Sequence, residues 1–217
     1  PVRQVLVLFQ FTVFIALIVG LIVIYRQTSY VVHRDTGFDR EKVVRIQASS
    51  EIWKNWQTFR TELLKNPDIN SFTFTNTIPG QNESTTNHWT WEGKTDTEVS
   101  RLSIVGVYEG FLETFGIQLK EGHFFSREFP SELREGLVIN EEAVRVMGFG
   151  DPLGRFIQVG DDRKGRIIGV VKDYHFSSLR EKIGPLVLIY GWGLDNIFIR
   201  INQHDVPGIL SYVKGVF

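Results

Sequence analysis

Hydrophobic positions fall into two regimes along this chain. From Val5 to Tyr25 there are 21 positions, of which only Gln10 and Thr12 are polar, with Gly20 the one weak helix former. At 1.5 Å per residue such a run crosses a hydrocarbon core about 30 Å thick. A buried core helix rarely needs so long an uncharged stretch. A signal peptide has a shorter apolar region ending in small residues, whereas this run continues into Tyr25, Arg26 and Gln27. One membrane-spanning helix is predicted. The polar but helix-compatible residues beyond it, through Tyr30, Val31 and His33, predict a short stalk that Gly37 stops.

After Gly37 the periods shorten and alternate. Lys42–Ala48 is β-branched and bounded by charge, which predicts a strand. Ser49 or Ser50 can cap a helix in which Ile52, Trp56, Phe59 and Leu63 share one face, closed by Pro67. Ile69–Thr75 alternates and predicts a second strand. A polar loop, Thr77–Asn87, then leads to Trp89 and Trp91 on a strand, a turn at Glu92–Lys94 and a returning strand over Glu98–Val107. Tyr108–Phe115 predicts a short helix ended by Gly116, followed by a strand over Ile117–Lys120. Asn140 can cap a helix whose first turn carries Glu141 and Glu142, with Ala143, Val144 and Met147 facing inward. Strands are predicted over Arg155–Val159, Arg166–Tyr174, Leu186–Tyr190 and Asn196–Ile201, and a last helix over Val206–Val216. The fold class is α+β: a transmembrane helix and stalk (residues 1–36), then a two-layered domain (residues 37–217).

Charge and composition narrow the chemistry. Lys plus Arg number 24 against 25 Asp plus Glu, a net charge of −1, which gives no electrostatic signature of a nucleic-acid binder. With no cysteine, thiol catalysis, disulfides and cysteine zinc sites are excluded. The start at Pro1 and the stop at Phe217 within a helical pattern read as an excerpt of a longer polypeptide. Arg3 precedes the span, while Arg26, Arg34, Arg40 and Lys42 follow it, so local charge alone would place the domain in the cytoplasm.

Candidate chemistry is sparse. His33, His88, His123, His175 and His204 form no metal-ligating helical spacing. Asp173 and His175, two apart on a predicted strand, could orient each other for acid-base work or hold a metal; equally, they could cap turns at a strand end. Glu141 and Glu142 point in different directions on a helix, and the dipole accounts for them. Gly148–Gly154 is glycine-rich but follows a helix rather than a strand, so it reads as a turn. No Gly-x-Ser-x-Gly occurs. Asn82-Glu83-Ser84 matches a glycosylation acceptor triplet that is common by chance. Of the tryptophans, Trp53 and Trp56 have helical spacing and read as core, Trp192 is a further candidate for a binding surface, and Trp89 with Trp91 is the pair expected at the surface. No catalytic, cofactor-binding or metal site is assigned.

Several segments together carry a family resemblance: Phe9–Val19 (FQFTVFIALIV), Asp35–Ile46 (DTGFDREKVVRI), Gly110–Phe125 (GFLETFGIQLKEGHFF), Val138–Ile157 (VINEEAVRVMGFGDPLGRFI) and Ile167–Leu188 (IIGVVKDYHFSSLREKIGPLVL). In this combination the chain resembles the permease subunits of MacB/FtsX-type ABC transporters, particularly the long, duplicated permeases of the Bacteroidetes type. The resemblance implies a domain between the first and second helices of a four-helix permease unit. It places the N-terminus in the cytoplasm and the bulk of the chain in the periplasm, against the local charge count, at a bacterial inner membrane. It further implies a porter-like lobe (about 37–82 and 166–217) and an inserted small α/β lobe (about 83–165). The implied partners are a cytoplasmic ABC ATPase that binds the ATP, a second permease half or subunit, and a periplasmic adaptor or lipoprotein. The implied role is non-enzymatic mechanotransmission toward export of an envelope substrate. The alternative is the periplasmic ligand-sensing domain of a membrane-bound signalling receptor.

Overall fold

The structure is a computed structural model that describes residues 2–33, 37–39, 42–77, 80, 84–94, 101–160, 163–177, 181–202 and 206–216, the side chains of 28, 30–33 and 50 aside. The chain divides into two compact units, Pro1–Thr36 and Gly37–Phe217. The first is one helix, α1 (Val2–His33). Its stretch Val2–Gln27 has a mean hydropathy of 2.9 and buries nothing within the unit, as expected of a helix whose surroundings are lipid or other apolar helices. Thr12 returns its hydroxyl to the Leu8 carbonyl at 2.9 Å, which leaves Gln10 as the polar side chain of the span.

The second unit is built on one mixed sheet. In chain order its elements are β1 (Val43–Gln47), α2 (Ser50–Lys54), α3 (Trp56–Leu63), β2 (Ile69–Thr75), β3 (Ser84–Thr86), β4 (Trp89–Trp91), β5 (Leu102–Val107), α4 (Phe111–Phe115), β6 (Leu119–Gly122), α5 (Pro130–Glu135), β7 (Gly136–Asn140), α6 (Glu141–Met147), β8 (Phe156–Val159), β9 (Arg163–Val171), β10 (Leu186–Tyr190), β11 (Asn196–Ile201) and α7 (Val206–Gly215). The sheet runs β1-β11-β2-β5-β10-β7-β9-β8-β4, with β3 also on β5 and β6 on β9. The β5/β10 and β7/β9 pairs are parallel. This is the α+β class expected, with helices on the sheet faces.

Three hydrophobic clusters fill the unit. One packs α2, α3 and α7 on β2 and β11 through Ile52, Phe59, Leu63, Phe74, Ile197 and Val213. A second packs α6 on β7, β8 and β4 through Ala143, Met147, Ile139, Ile157, Trp89 and Trp91. A third, around α4, gathers Phe111, Phe115, Val105, Leu188, Tyr174 and Phe198. β2 meets β5 at a single residue pair, Thr75 with Val107. Asn76 tightens that seam, its N–H donating to the Gly106 carbonyl and its side chain accepting from Gly106 N at 2.8 Å. A Cβ on Gly106 would lie 1.7 Å from the Trp192 carbonyl oxygen, so only glycine lets the two backbones approach.

Several expectations are corrected here. The helix after Ser49 is two helices. Ser49 does cap the first, its hydroxyl accepting from Ile52 N, but Asn55 at φ −119° breaks the run before Trp56. The pairing β4 with β5 does not form: β4 pairs β8, and the β5 position is taken by β3, in what read as loop. Residues 98–100, the start of the expected returning strand, lie outside the described residues. α5 had no counterpart in the sequence pattern. Most pointedly, Trp89 and Trp91 are buried, at 3% and 6% exposure, because pairing with β8 turns their face under α6. Lys94 closes that edge: its backbone N–H donates to the Trp91 carbonyl, its ammonium donates to the Trp89 carbonyl, and it lies 5.0 Å from the Trp91 ring.

One cost is built into this end of the sheet. Arg163, at the start of β9, points to the same face as Val159, and its Nε and one terminal nitrogen are buried without a hydrogen-bond partner. Burial pushes its guanidinium below its usual value, the sign of a charge that folding disfavours. A buried unmade donor costs about 1–3 kcal/mol. Arg163→Met, which keeps the apolar stem, is therefore expected to raise the stability of the domain by about 1–3 kcal/mol, measured as an increased midpoint in chemical denaturation.

Candidate functional site

The first residues of the second unit, Gly37–Asp39, are held by the rest of that unit. Gly37 holds φ +73°, and a Cβ there would stand 2.9 Å from the Asp173 carbonyl oxygen and from Tyr174 Cα. That close approach sends Phe38 edge-on between two rings, 6.3 Å from Phe115 and 6.2 Å from Tyr174. Asp39 N–H then donates to the Phe115 carbonyl at 2.7 Å. Arg200 on β11 completes the grip. One terminal nitrogen pairs with Asp39 Oδ2 at 2.8 Å, the other donates to the Asp39 carbonyl at 2.8 Å, and Nε donates to the Thr114 carbonyl at 2.8 Å. The Asp39 side chain is half-exposed, so the ion pair adds no more than about 1 kcal/mol. Half-burying a phenyl ring contributes about 1–2 kcal/mol, so the aromatic wedge carries more of the hold and Arg200 fixes its direction.

Asp173 and His175 belong to the strap that carries Tyr174. They do not share a strand face: β9 ends at Val171, and residues 172–177 run on as irregular chain. Asp173 turns toward α6. Its Oδ1 accepts from Asn140 Nδ2 at 2.8 Å and from Glu142 N at 3.0 Å. Asn140, fully buried, uses all of its amide: Oδ1 also accepts from Ala143 N at 3.0 Å and Leu186 N at 2.8 Å, and Nδ2 donates to the Gly184 carbonyl at 2.9 Å. Glu141 accepts from Asp173 N at 3.2 Å and pairs with Lys120 at 2.7 Å. Burial pushes the Asp173 carboxyl above its ordinary 3.8, opposed by the bond from Glu142 N. The bond from Lys120 holds Glu141 below its ordinary 4.5. With Asn140 Oδ1 and Asp173 Oδ1 each accepting two hydrogen bonds, the cluster is a fastening for the strap.

The other candidates disperse. Glu142 bonds Arg145 on its own helix. His123 pairs with Glu132 at 2.5 Å, and His88 is exposed in a turn. His33 ends α1, and His204, Asn82 and Glu83 lie outside the described residues or side chains. Gly148–Gly154 follows α6 as a turn, Gly154 N donating to the Ile167 carbonyl. Trp53 packs on Phe74 at 4.7 Å; Trp56 holds Arg127 over its ring at 4.4 Å. Trp192 is 40% exposed. Among the described residues no three His, Asp or Glu side chains converge as a metal site. Phe38, Asp39 and Arg200 were missed; the available signal was the Gly37-Phe38-Asp39 triplet at the end of the predicted stalk.

A membrane-type helix followed by a domain that clasps its own first residues defines the class: a tethered α+β domain. Residues 12–203 match the model of the MacB-like periplasmic core domain. The chain belongs to that family, as its segments led one to expect. Among solved structures it is similar to the periplasmic region of MacB from Actinobacillus actinomycetemcomitans, at 15% identity over 86% of this chain and 85% of that one, with a TM-score of 0.51. It is also similar to the extracellular domain of the ABC-type transporter YknZ from Gram-positive bacteria, at 13% identity over 78% and 88%, with a TM-score of 0.49. The first of these likenesses carries the fold. No curated protein sequence matches the chain.

The strap separates a structural from a catalytic Asp173. Asp173→Ala strands Glu142 N and one Asn140 proton and is expected to cost about 1–3 kcal/mol. Asp173→Asn, whose Oδ1 keeps both bonds, is expected to stay within about 1 kcal/mol of wild type. Because the folded pKa is raised, the Asp173 contribution is full below pH 3.8 and is lost as pH rises through the folded value, so wild type should gain on Asp173→Asn toward acid pH. Denaturation midpoints at pH 3.5 and pH 7 check both expectations.

Proposed function

We propose that this chain is the first membrane helix and periplasmic domain of a MacB/FtsX-type ABC transporter permease in a bacterial inner membrane, and that it passes ATP-driven helix motion into the domain. The observation that carries the reading is the clamp on Gly37–Asp39. A mechanical element needs a stiff input and a fixed attachment. α1 runs unbroken from Val2 to His33, past the apolar run, and Phe38 and Arg200 hold residues 38 and 39 against the α4 side of the domain core. Membership of the MacB-like family supports a cytoplasmic ABC ATPase as partner, with the ATP bound there, a second permease half, and an adaptor or lipoprotein in the periplasm. The same reading divides the domain into a porter-like lobe, about 37–82 and 166–217, and a small lobe, about 83–165. The cluster around α3 and α7 draws its buried members from the first set of residues, and that around α6 draws mainly on the second.

The test uses the full-length protein with its ATPase in lipid nanodiscs. The double substitution Phe38→Ala/Arg200→Ala removes the wedge and its brace while leaving three core clusters. It is expected to leave the domain folded and ATP hydrolysis present, and to lower ATP-dependent envelope function at least tenfold. Undiminished function would refute a mechanical attachment here. Co-purification with signalling kinases in place of an ATPase would favour a sensor.

A second expectation concerns the stalk. Ser29→Pro removes a helical hydrogen bond and kinks α1, at about 3 kcal/mol, and should uncouple function from hydrolysis without changing the circular dichroism of the domain. Coupled function in that variant would count against a rigid input helix.

A further inference from the structure

The β9–β8–β4 end of the sheet has one covered face and one bare face. Strand alternation puts Trp89, Trp91, Ile157, Val159 and Ile167 under α6. The opposite positions, Thr90, Phe156, Lys164 and Arg166, are exposed, and Gln158 is half-buried. Phe156 is 47% exposed, an unusual place for a phenyl ring unless something covers it. Two cations lie over it: Lys164 Nζ at 5.3 Å and Arg166 Cζ, from the residue directly opposite on β9, at 4.8 Å. Among the described residues neither has a carboxylate within ion-pair distance. A third cation, Arg155, borders them and lies 3.5 Å from Glu92. Phe156, Lys164 and Arg155 line a cleft of about 410 Å³ that also includes Thr90, Glu92 and Gln158, and Arg166 lies against the Phe156 ring.

We propose that this face binds an extended acidic segment of a partner protein, with carboxylates at alternate positions. Like charges held over one ring repel, and an anion bridging them relieves that repulsion. Same-face residues on a strand are about 6.6–6.8 Å apart, so Lys164 and Arg166 match carboxylates two residues apart on an extended chain. The apolar part of such a chain covers Phe156. A concave cleft suits a chain rather than a flat bilayer surface, and Glu92 on its wall opposes a uniformly anionic one. Backbone addition at the β4 edge is not the mode, because Lys94 occupies the Trp89 and Trp91 carbonyls. The proposal is independent of the mechanical role argued above.

The test is fluorescence anisotropy with the full chain in neutral phosphatidylcholine nanodiscs and two labelled peptides, Glu-Thr-Glu-Thr-Glu and its glutamine counterpart. Saturable, salt-sensitive binding of the acidic peptide alone is expected. Lys164→Gln/Arg166→Gln should weaken it about tenfold, Phe156→Ser should weaken it, and Glu92→Gln should strengthen it. These are surface changes, and a circular dichroism melt verifies the fold. Equal binding of the neutral peptide, undiminished binding by the double variant, or no saturable binding would overturn the proposal. So would capture by phosphatidylglycerol vesicles that depends on Lys164 and Arg166 while the acidic peptide fails to bind, which would assign the face to lipid.

Discussion

The side chain of Asn140 holds this domain together where its parts converge. A buried primary amide offers two donors and two acceptor lone pairs, and all four are used, on the first turn of α6, the start of β10, the Gly184 carbonyl and the Asp173 carboxylate. Left unpaired in a low-dielectric interior, any of them would cost more than a hydrogen bond ordinarily gains. The node therefore fixes three segments at once, the start of α6, the stretch from Gly184 into β10, and the strap 172–177.

From that strap the constraint passes outward. Asp173 is tied to α6 on one side, and Tyr174, its neighbour, lies in the core on the other, where Phe38 rests against it. Gly37 and Phe38 thus meet a surface whose position is set by a saturated polar network. Charge plays a lesser part: the Asp39 to Arg200 pair is partly exposed and screened, and its value is directional.

The sheet shows a similar division between what is held and what is left open. Its α6 side is packed with two tryptophans, while the reverse of the same strands carries Phe156 between two cations. Nearby, Arg163 buries two donor nitrogens without a hydrogen-bond partner, and the edge is sealed by Lys94, so the open face presents side chains rather than backbone.

Local signals in the sequence determined the membrane helix, most strands, and the caps at Ser49 and Asn140, because period, capping chemistry and glycine stops act over a few residues. They determined the family too, since the segments that carry it are contiguous. Only the tertiary structure decided what Asp173 is for and where Trp89 and Trp91 lie. Asp173 read as a strand residue beside a histidine until Asn140, 33 positions earlier, was brought to it. The tryptophans read as exposed because their neighbours in sequence are polar, whereas their burial comes from β8, whose Ile157 pairs with Trp91 across the chain. Phe38 is the intermediate case: its triplet was visible, but the pocket between Phe115 and Tyr174 that gives it meaning is assembled from distant residues, and burial is a property of that assembly.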